Sequence, residues 1–192
     1  IKTKQDFAKL LEIKPSFLTN VLYRLKPATQ YTRFTIPKKS GGTRTILSPS
    51  DRLKSLQSSL SKLLLDCIDE INEPKRTKKR TYKQALSHGF VRDCSIMTNA
   101  MMHLNQKNVL NIDLKDFFDS FNFGRVRGFF IKNNHFQLDP AIATVIAQIA
   151  CYDNKLPQGS PCSPVITNLI THSLDIKLAS LARKHSCIYS RY

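Results

Sequence analysis

No run in this 192-residue chain is apolar for long enough to cross a bilayer: the longest, 141 to 151, falls far short. A membrane-spanning helix needs ~20 such residues. A secretory signal pattern is also missing at the start. The five cysteines, Cys67, Cys94, Cys151, Cys162 and Cys187, are odd in number, widely spaced and without a CxxC pair. That pattern excludes both a disulfide framework and a structural zinc site, and it fits a reducing compartment. A soluble, cytoplasmic protein is therefore expected. Acidic residues are scarce, with 14 Asp and Glu against 30 Lys and Arg, leaving a formal net charge of +16. Internal ion pairs cannot absorb that surplus, so a polyanionic partner is expected. There is no internal repeat and no low-complexity segment. A starting methionine is absent as well. The chain opens at Ile1 inside a helical pattern and stops at Tyr192 inside a strand-like run, which reads as a fragment.

The length allows one large domain or two small ones with a substantial core. Phe7, Leu10 and Leu11 fall on one side of a helix spanning 3 to 11. Pro15 can open a second, carrying Phe17, Leu18, Val21, Leu22 and Leu25. The β-prone runs 31 to 39 and 43 to 47 flank Ser40-Gly41-Gly42, predicting a hairpin with a basic tip. Ser50 or Asp51 can cap a long helix in which Leu53, Leu56, Leu60, Leu63, Leu64, Cys67, Ile68 and Ile71 recur at helical steps. A helix over 95 to 106, a strand over 109 to 114, an apolar helix from Asp139-Pro140 to Cys151, a helix from Ser163-Pro164 towards Leu181 and a strand over 187 to 192 complete the pattern. Strands interleaved with helices indicate an α+β or α/β protein.

Two stretches carry the chemistry. VLNIDLKDFFDSF, 109 to 121, places the carboxylate of Asp113 at the end of an apolar run, and LPQGSPCSP, 156 to 164, forms a tight loop opening onto a helix. Gly159 permits close backbone approach, and Gln158 offers a planar amide for sugar or base contacts. The stretch KRTKKRTYK, 75 to 83, packs six basic residues, Lys75, Arg76, Lys78, Lys79, Arg80 and Lys83, around Tyr82. It suits phosphate contacts with base stacking, although such a run is also what a solvated loop looks like.

Together these stretches resemble the palm of a reverse transcriptase. In that family an apolar strand delivers a metal-binding aspartate, and phosphoryl transfer uses divalent cations held by carboxylates. The resemblance implies a two-metal Mg²⁺ site to which Asp113 gives its carboxylate and Leu114 its backbone, with the remaining ligands beyond Tyr192. It also implies that Phe118, five residues after Asp113, packs against the sugar of an incoming deoxynucleotide, and that Gln158 and Gly159 lie by the nucleotide. Phe117 and Phe121 are read as core, and Asp116 and Asp119 as solvent-facing. IPKKSGGTRTILSPSDRLKSLQ resembles the family's fingers hairpin, which assigns Lys38 and Arg44 to the triphosphate. Tyr192 fits the aromatic that begins the family's motif with two adjacent aspartates.

The NAxxH pattern at Asn99 to His103 resembles a retron-specific insertion, and SFNFGRVRGFF and ACYDNKLPQGSPCSP extend the likeness over residues 1 to 192. Asn99 and His103 share a helix face, where they could bond RNA or pin the helix to the palm. The expected fold is thus α+β, a right-hand polymerase truncated before the end of the palm and without a thumb. Its segments would be 1–30, N-terminal helical; 31–108, fingers with the basic run and the NAxxH region; and 109–192, partial palm. The resemblance implies an RNA-directed DNA polymerase that copies a structured noncoding RNA into branched, RNA-linked single-stranded DNA. It further implies deoxynucleoside triphosphate substrates, an antiphage role and an effector protein. Two alternatives stay open, a noncatalytic RNA-binding scaffold and an intron-type maturase. The fragment alone is expected to be inactive.

Overall fold

A computed structural model gives the fold, and it describes residues 1–37, 41–72 and 85–192. These fall into two compact units, one made of Ile1–Leu64 with Asp116–Ile166, the other of Leu65–Lys115 with Thr167–Tyr192. In the first, Thr3 caps α1 (Lys4–Leu10) through a reciprocal pair with Asp6, satisfying amides that the first helical turn leaves free. Pro15 opens α2 (Pro15–Thr19), which runs on into a π-helical turn over Asn20–Arg24. Phe7, Leu11, Leu18, Val21 and Leu22 from these elements are buried, as their spacing predicted, whereas Leu10, at the end of α1, is exposed.

The hairpin forms as β1 (Tyr31–Pro37) and β2 (Thr43–Pro49), antiparallel in a register that pairs Ile36 with Arg44 and Arg33 with Leu47. It is a two-stranded sheet, exposed along β1 and buried at Leu47 and Pro49, where the rest of the unit covers it. Ser50 caps α3 (Asp51–Asn72), and Leu53, Leu56, Leu60 and Leu64 point inward at three- and four-residue steps. Gln57 lies on the same face, fully buried. Its amide donates to the Tyr31 hydroxyl at 2.7 Å and the Ile149 carbonyl at 2.8 Å, which makes a buried polar group tolerable.

Helix α4 (Ile96–Met101) belongs to the second unit and ends sooner than expected, since Met102 and His103 continue as turns rather than helix. In the first unit, α5 (Phe123–Lys132), capped by Asn122, packs on α6 (Pro140–Ala150), capped by Asp139 with Pro140 in the first position. Val126 and Phe130 meet the apolar face of α6 and an aromatic cluster of Phe129, Phe130 and Phe136. Reading SFNFGRVRGFF only as a motif overlooked α5, whose signal was the Asn122 cap and the four-residue step between the apolar Val126 and Phe130.

The last helix, α7 (Ser163–Lys184), buries a polar face in the second unit. Leu174, Leu178 and Leu181 are exposed, while Thr167, Thr171 and Asp175, each one helical turn apart, are buried together with Ala179. A polar stripe becomes the inner face where partners satisfy it.

The two predicted strands of the second half do not form. Residues 109–114 have no hydrogen-bonded neighbour among the described residues, and Leu110 and Ile112 stand 86% and 76% exposed. Apolar content marks a segment that favours burial, but a strand exists only where another strand supplies its ladder. Residues 187–192 make a single parallel bridge, Ser87 with Arg191.

Candidate functional site

In the first unit, the LPQG turn is built against the hairpin. Asp153 and Asn154, both in left-handed conformation, close a tight two-residue turn in which Tyr152 and Lys155 exchange backbone hydrogen bonds. The chain then buries Leu156, whose amide donates to the Phe121 carbonyl at 3.1 Å. Next the Gln158 carbonyl accepts from the Leu47 amide of β2 at 2.8 Å. Gly159 follows at φ +119°, so close to β2 that a Cβ there would stand 2.5 Å from the Leu47 carbonyl oxygen. The close approach that this glycine permits is therefore to the hairpin's own backbone. Gln158 is half-buried and Gly159 exposed at the turn's surface.

Phe118 begins a 3₁₀ turn (Phe118–Ser120), half-buried, its ring edge-on to Phe117 at 5.6 Å between centroids. Phe117 also packs on Phe121, which is core as expected, and Arg125 lies 4.8 Å over the Phe121 ring. Asp119 accepts from Lys155 at 2.8 Å, and this partly exposed pair raises the lysine's pKa. Arg44 is exposed on β2. Lys38 lies outside the described residues, as do Lys75, Arg76, Lys78, Lys79, Arg80 and Lys83.

Tyr31, packed on Tyr152 at 4.9 Å, is held neutral by burial, which pushes its hydroxyl well above the ordinary range. Burial also pushes the Cys151 and Cys162 thiols up to about 12. Neither is a nucleophile, because a thiol that stays protonated at neutral pH does not attack.

In the second unit Asp113 is exposed in the irregular 109–114 segment, and among the described residues no ion pair or hydrogen bond occupies its carboxylate. With the Leu114 carbonyl it offers hard oxygen donors, the type that magnesium takes. These two donors fit part of a magnesium shell. Among the described residues no group of three or more His, Cys, Asp or Glu gathers to complete one.

Asn99 and His103 are half-buried in this unit. His103 Nε2 pairs with the Ser190 hydroxyl at 2.7 Å, tying the end of the α4 region to the final segment. The Asn99 side-chain oxygen is buried with no partner among the described residues.

Sequence reasoning missed the largest polar network of this unit. Arg191 reaches α7 with its whole guanidinium: Nε donates to Asp175 Oδ1 at 2.9 Å, Nη2 to Asp175 Oδ2 at 2.8 Å and Thr171 Oγ1 at 3.1 Å, and Nη1 to Asn168 Oδ1 at 3.0 Å. The Tyr189 hydroxyl adds a third bond to Asp175 at 2.8 Å. Asn168 also donates to the Gly89 carbonyl at 2.8 Å and accepts from Ser87. The four-residue spacing of Thr167, Thr171 and Asp175 was the available signal.

The profile of the family described as reverse transcriptase (RNA-dependent DNA polymerase) matches residues 36–192. The chain belongs to the reverse transcriptase family. Among curated reverse transcriptases it is 34% identical over 189 residues to the retron Ec86 reverse transcriptase of Escherichia coli, covering 97% of this chain and 53% of that protein. To the retron Mx65 reverse transcriptase of Myxococcus xanthus it is 32% identical over 211 residues, covering 100% of this chain and 46% of the relative. The retron Mx162 reverse transcriptase of the same organism is 33% identical over 180 residues, with 86% and 34% covered. The chain thus spans about half the length or less of the retron reverse transcriptases it matches. The described architecture is α+β with a small sheet, and no described helix is long and apolar enough to cross a membrane.

Proposed function

We propose that the protein containing this chain is the RNA-directed DNA polymerase of a retron, copying a structured noncoding RNA into branched, RNA-linked single-stranded DNA. The observation that carries the reading is the LPQG turn seated on the hairpin that bears Arg44, within the segment that matches the family. A loop locked to a basic hairpin holds its polar groups at a fixed distance from the hairpin's charge, which is what positioning a triphosphate beside its sugar requires.

In this reading Arg44 and Lys38 grip the triphosphate, the first as a planar fork and the second as a point charge. Phe118 contacts the sugar, and its aromatic edge leaves no hydrogen-bond partner for a 2′-hydroxyl, favouring deoxynucleotides. Gln158 lies beside the nucleotide, and Gly159 keeps the Gln158 carbonyl bonded to β2. Asp113 and the Leu114 carbonyl would hold Mg²⁺, which lowers the charge repulsion at the transferring phosphoryl group. The basic run from Lys75 to Lys83, with Asn99 and His103, contacts RNA. The reading further includes an antiphage role with an effector protein, in the cytoplasm.

Primer extension by the full-length protein carrying Asp113→Asn tests the assignment. Removing the charge that holds the metal should lower the rate by about a thousandfold or more. Synthesis near the wild-type rate refutes the reading.

A further inference from the structure

The last residues, Tyr189 to Tyr192, are held by side chains captured on alternating sides. Tyr189 and Arg191 point to α7, and Ser190 points the other way to His103. Their backbone is gripped as well: the Arg191 amide donates to the Leu86 carbonyl at 2.8 Å, and the Arg191 carbonyl accepts from the His88 amide at 2.7 Å. Gly89 then lies flat on Tyr192, so that a Cβ at position 89 would stand 3.0 Å from the Tyr192 carbonyl carbon. Because side chains alternate along extended backbone, a slip of one residue would break all of these interactions at once.

The socket is specific to arginine. Asp175 is 2% exposed and takes three donors, two of them from the Arg191 fork, while Asn168 and Thr171 take the others. A lysine carries a single ammonium with three donors and cannot reproduce the four bonds that the planar guanidinium makes here. A buried carboxylate and a largely buried guanidinium that satisfy each other have one favoured geometry, and water has little access to loosen it.

We infer that Arg191 is a positioning residue for DNA synthesis: its socket of Asp175, Asn168 and Thr171 fixes the register of residues 189–192, and so the placement of Tyr192. The inference rests on the polymerase reading above, with Tyr192 at the aromatic position of the family's palm motif. It adds that the accuracy of this placement is set from α7, through a residue that touches neither metal nor nucleotide.

The test uses full-length protein with Arg191→Lys and Thr171→Val, the second a milder change that removes one acceptor of the fork. Steady-state primer extension gives kcat and the KM for deoxynucleotide, filter binding gives RNA affinity, and thermal unfolding gives the folded fraction. Displacement of the motif should lower kcat for Arg191→Lys by about tenfold to a hundredfold. The KM and RNA affinity should stay within about threefold. Thr171→Val should show a smaller fall of kcat in the same direction, with the protein folded. Either variant losing activity only in proportion to its unfolded fraction, or a folded Arg191→Lys protein with wild-type kcat, overturns the inference while leaving the polymerase reading intact. A wild-type protein that extends no primer overturns that reading, and the inference falls with it.

Discussion

Replacing Gly159 with alanine would separate the LPQG turn from the hairpin. Position 159 sits at φ +119°, a region that side-chain-bearing residues rarely enter, and the added Cβ would meet the Leu47 carbonyl oxygen at 2.5 Å and Ile46 Cγ2 at 3.1 Å. The oxygen belongs to β2, which is paired along its length with β1, so it cannot move aside as a flexible side chain would. Backbone strain of this type contributes ~1 to 3 kcal/mol. If the turn withdraws to relieve it, the bond from the Leu47 amide to the Gln158 carbonyl is broken at a buried strand end, for a further ~1 to 3 kcal/mol. A combined destabilisation of about 2 to 6 kcal/mol is large beside the ~5 to 15 kcal/mol that holds a typical domain together. Thermal and urea unfolding of the full-length protein measure it, and the KM for deoxynucleotide should rise because Gln158 no longer has a fixed place on the hairpin that bears Arg44. A Gly159→Ala protein within about 0.5 kcal/mol of wild type, a shift typical of unconstrained surface sites, would refute the reasoning.

The buried thiols predict a pH dependence. Cys151 and Cys162 have folded-state values raised to about 12 from an ordinary 9.0, so each binds its proton more tightly when folded. Their contribution to stability is complete below the unfolded value and is lost as pH rises from 9 towards 12, so a Cys151→Ala/Cys162→Ala protein should show a shallower alkaline decline in denaturant titrations. The same burial should leave both thiols unlabelled by a disulfide reagent at neutral pH until the protein unfolds. For the basic run, Lys78→Ala/Lys79→Ala/Arg80→Ala should reduce the log–log salt slope of RNA binding by about 2, at ~0.7 for each phosphate no longer neutralised. An unchanged slope would show that these residues do not meet phosphate.

Local pattern was enough for the elements whose stability is local or whose burial follows a single period. The Thr3 and Asp139 caps, Pro15 and Pro140 at helix starts and the leucine steps of α3 each specify where a helix begins and which face turns inward. The glycine pair at 41–42 and the flanking β-prone residues likewise specify a hairpin. The candidate residues were legible as types, a carboxylate after an apolar run, a glycine turn before a helix and an arginine on a basic hairpin, because chemistry restricts which side chains can serve.

Interactions between distant segments were not legible in that way. Residues 109–114 have the composition of a strand, yet a ladder needs a neighbour that composition cannot supply, and here the apolar side chains stand exposed. Gly159 announced a close approach without saying to what, and only packing made its counterpart the Leu47 carbonyl, more than a hundred residues earlier. On α7 the leucines at 174, 178 and 181 stand exposed, and the guanidinium of Arg191 satisfies Asp175, Asn168 and Thr171, making the polar face the stable one to bury. The sequence by itself determined the capped helix starts, the buried leucine face of α3 and the hairpin. The tertiary structure alone decided which polar groups find partners, because that depends on the three-dimensional meeting of groups that no sequence period brings together.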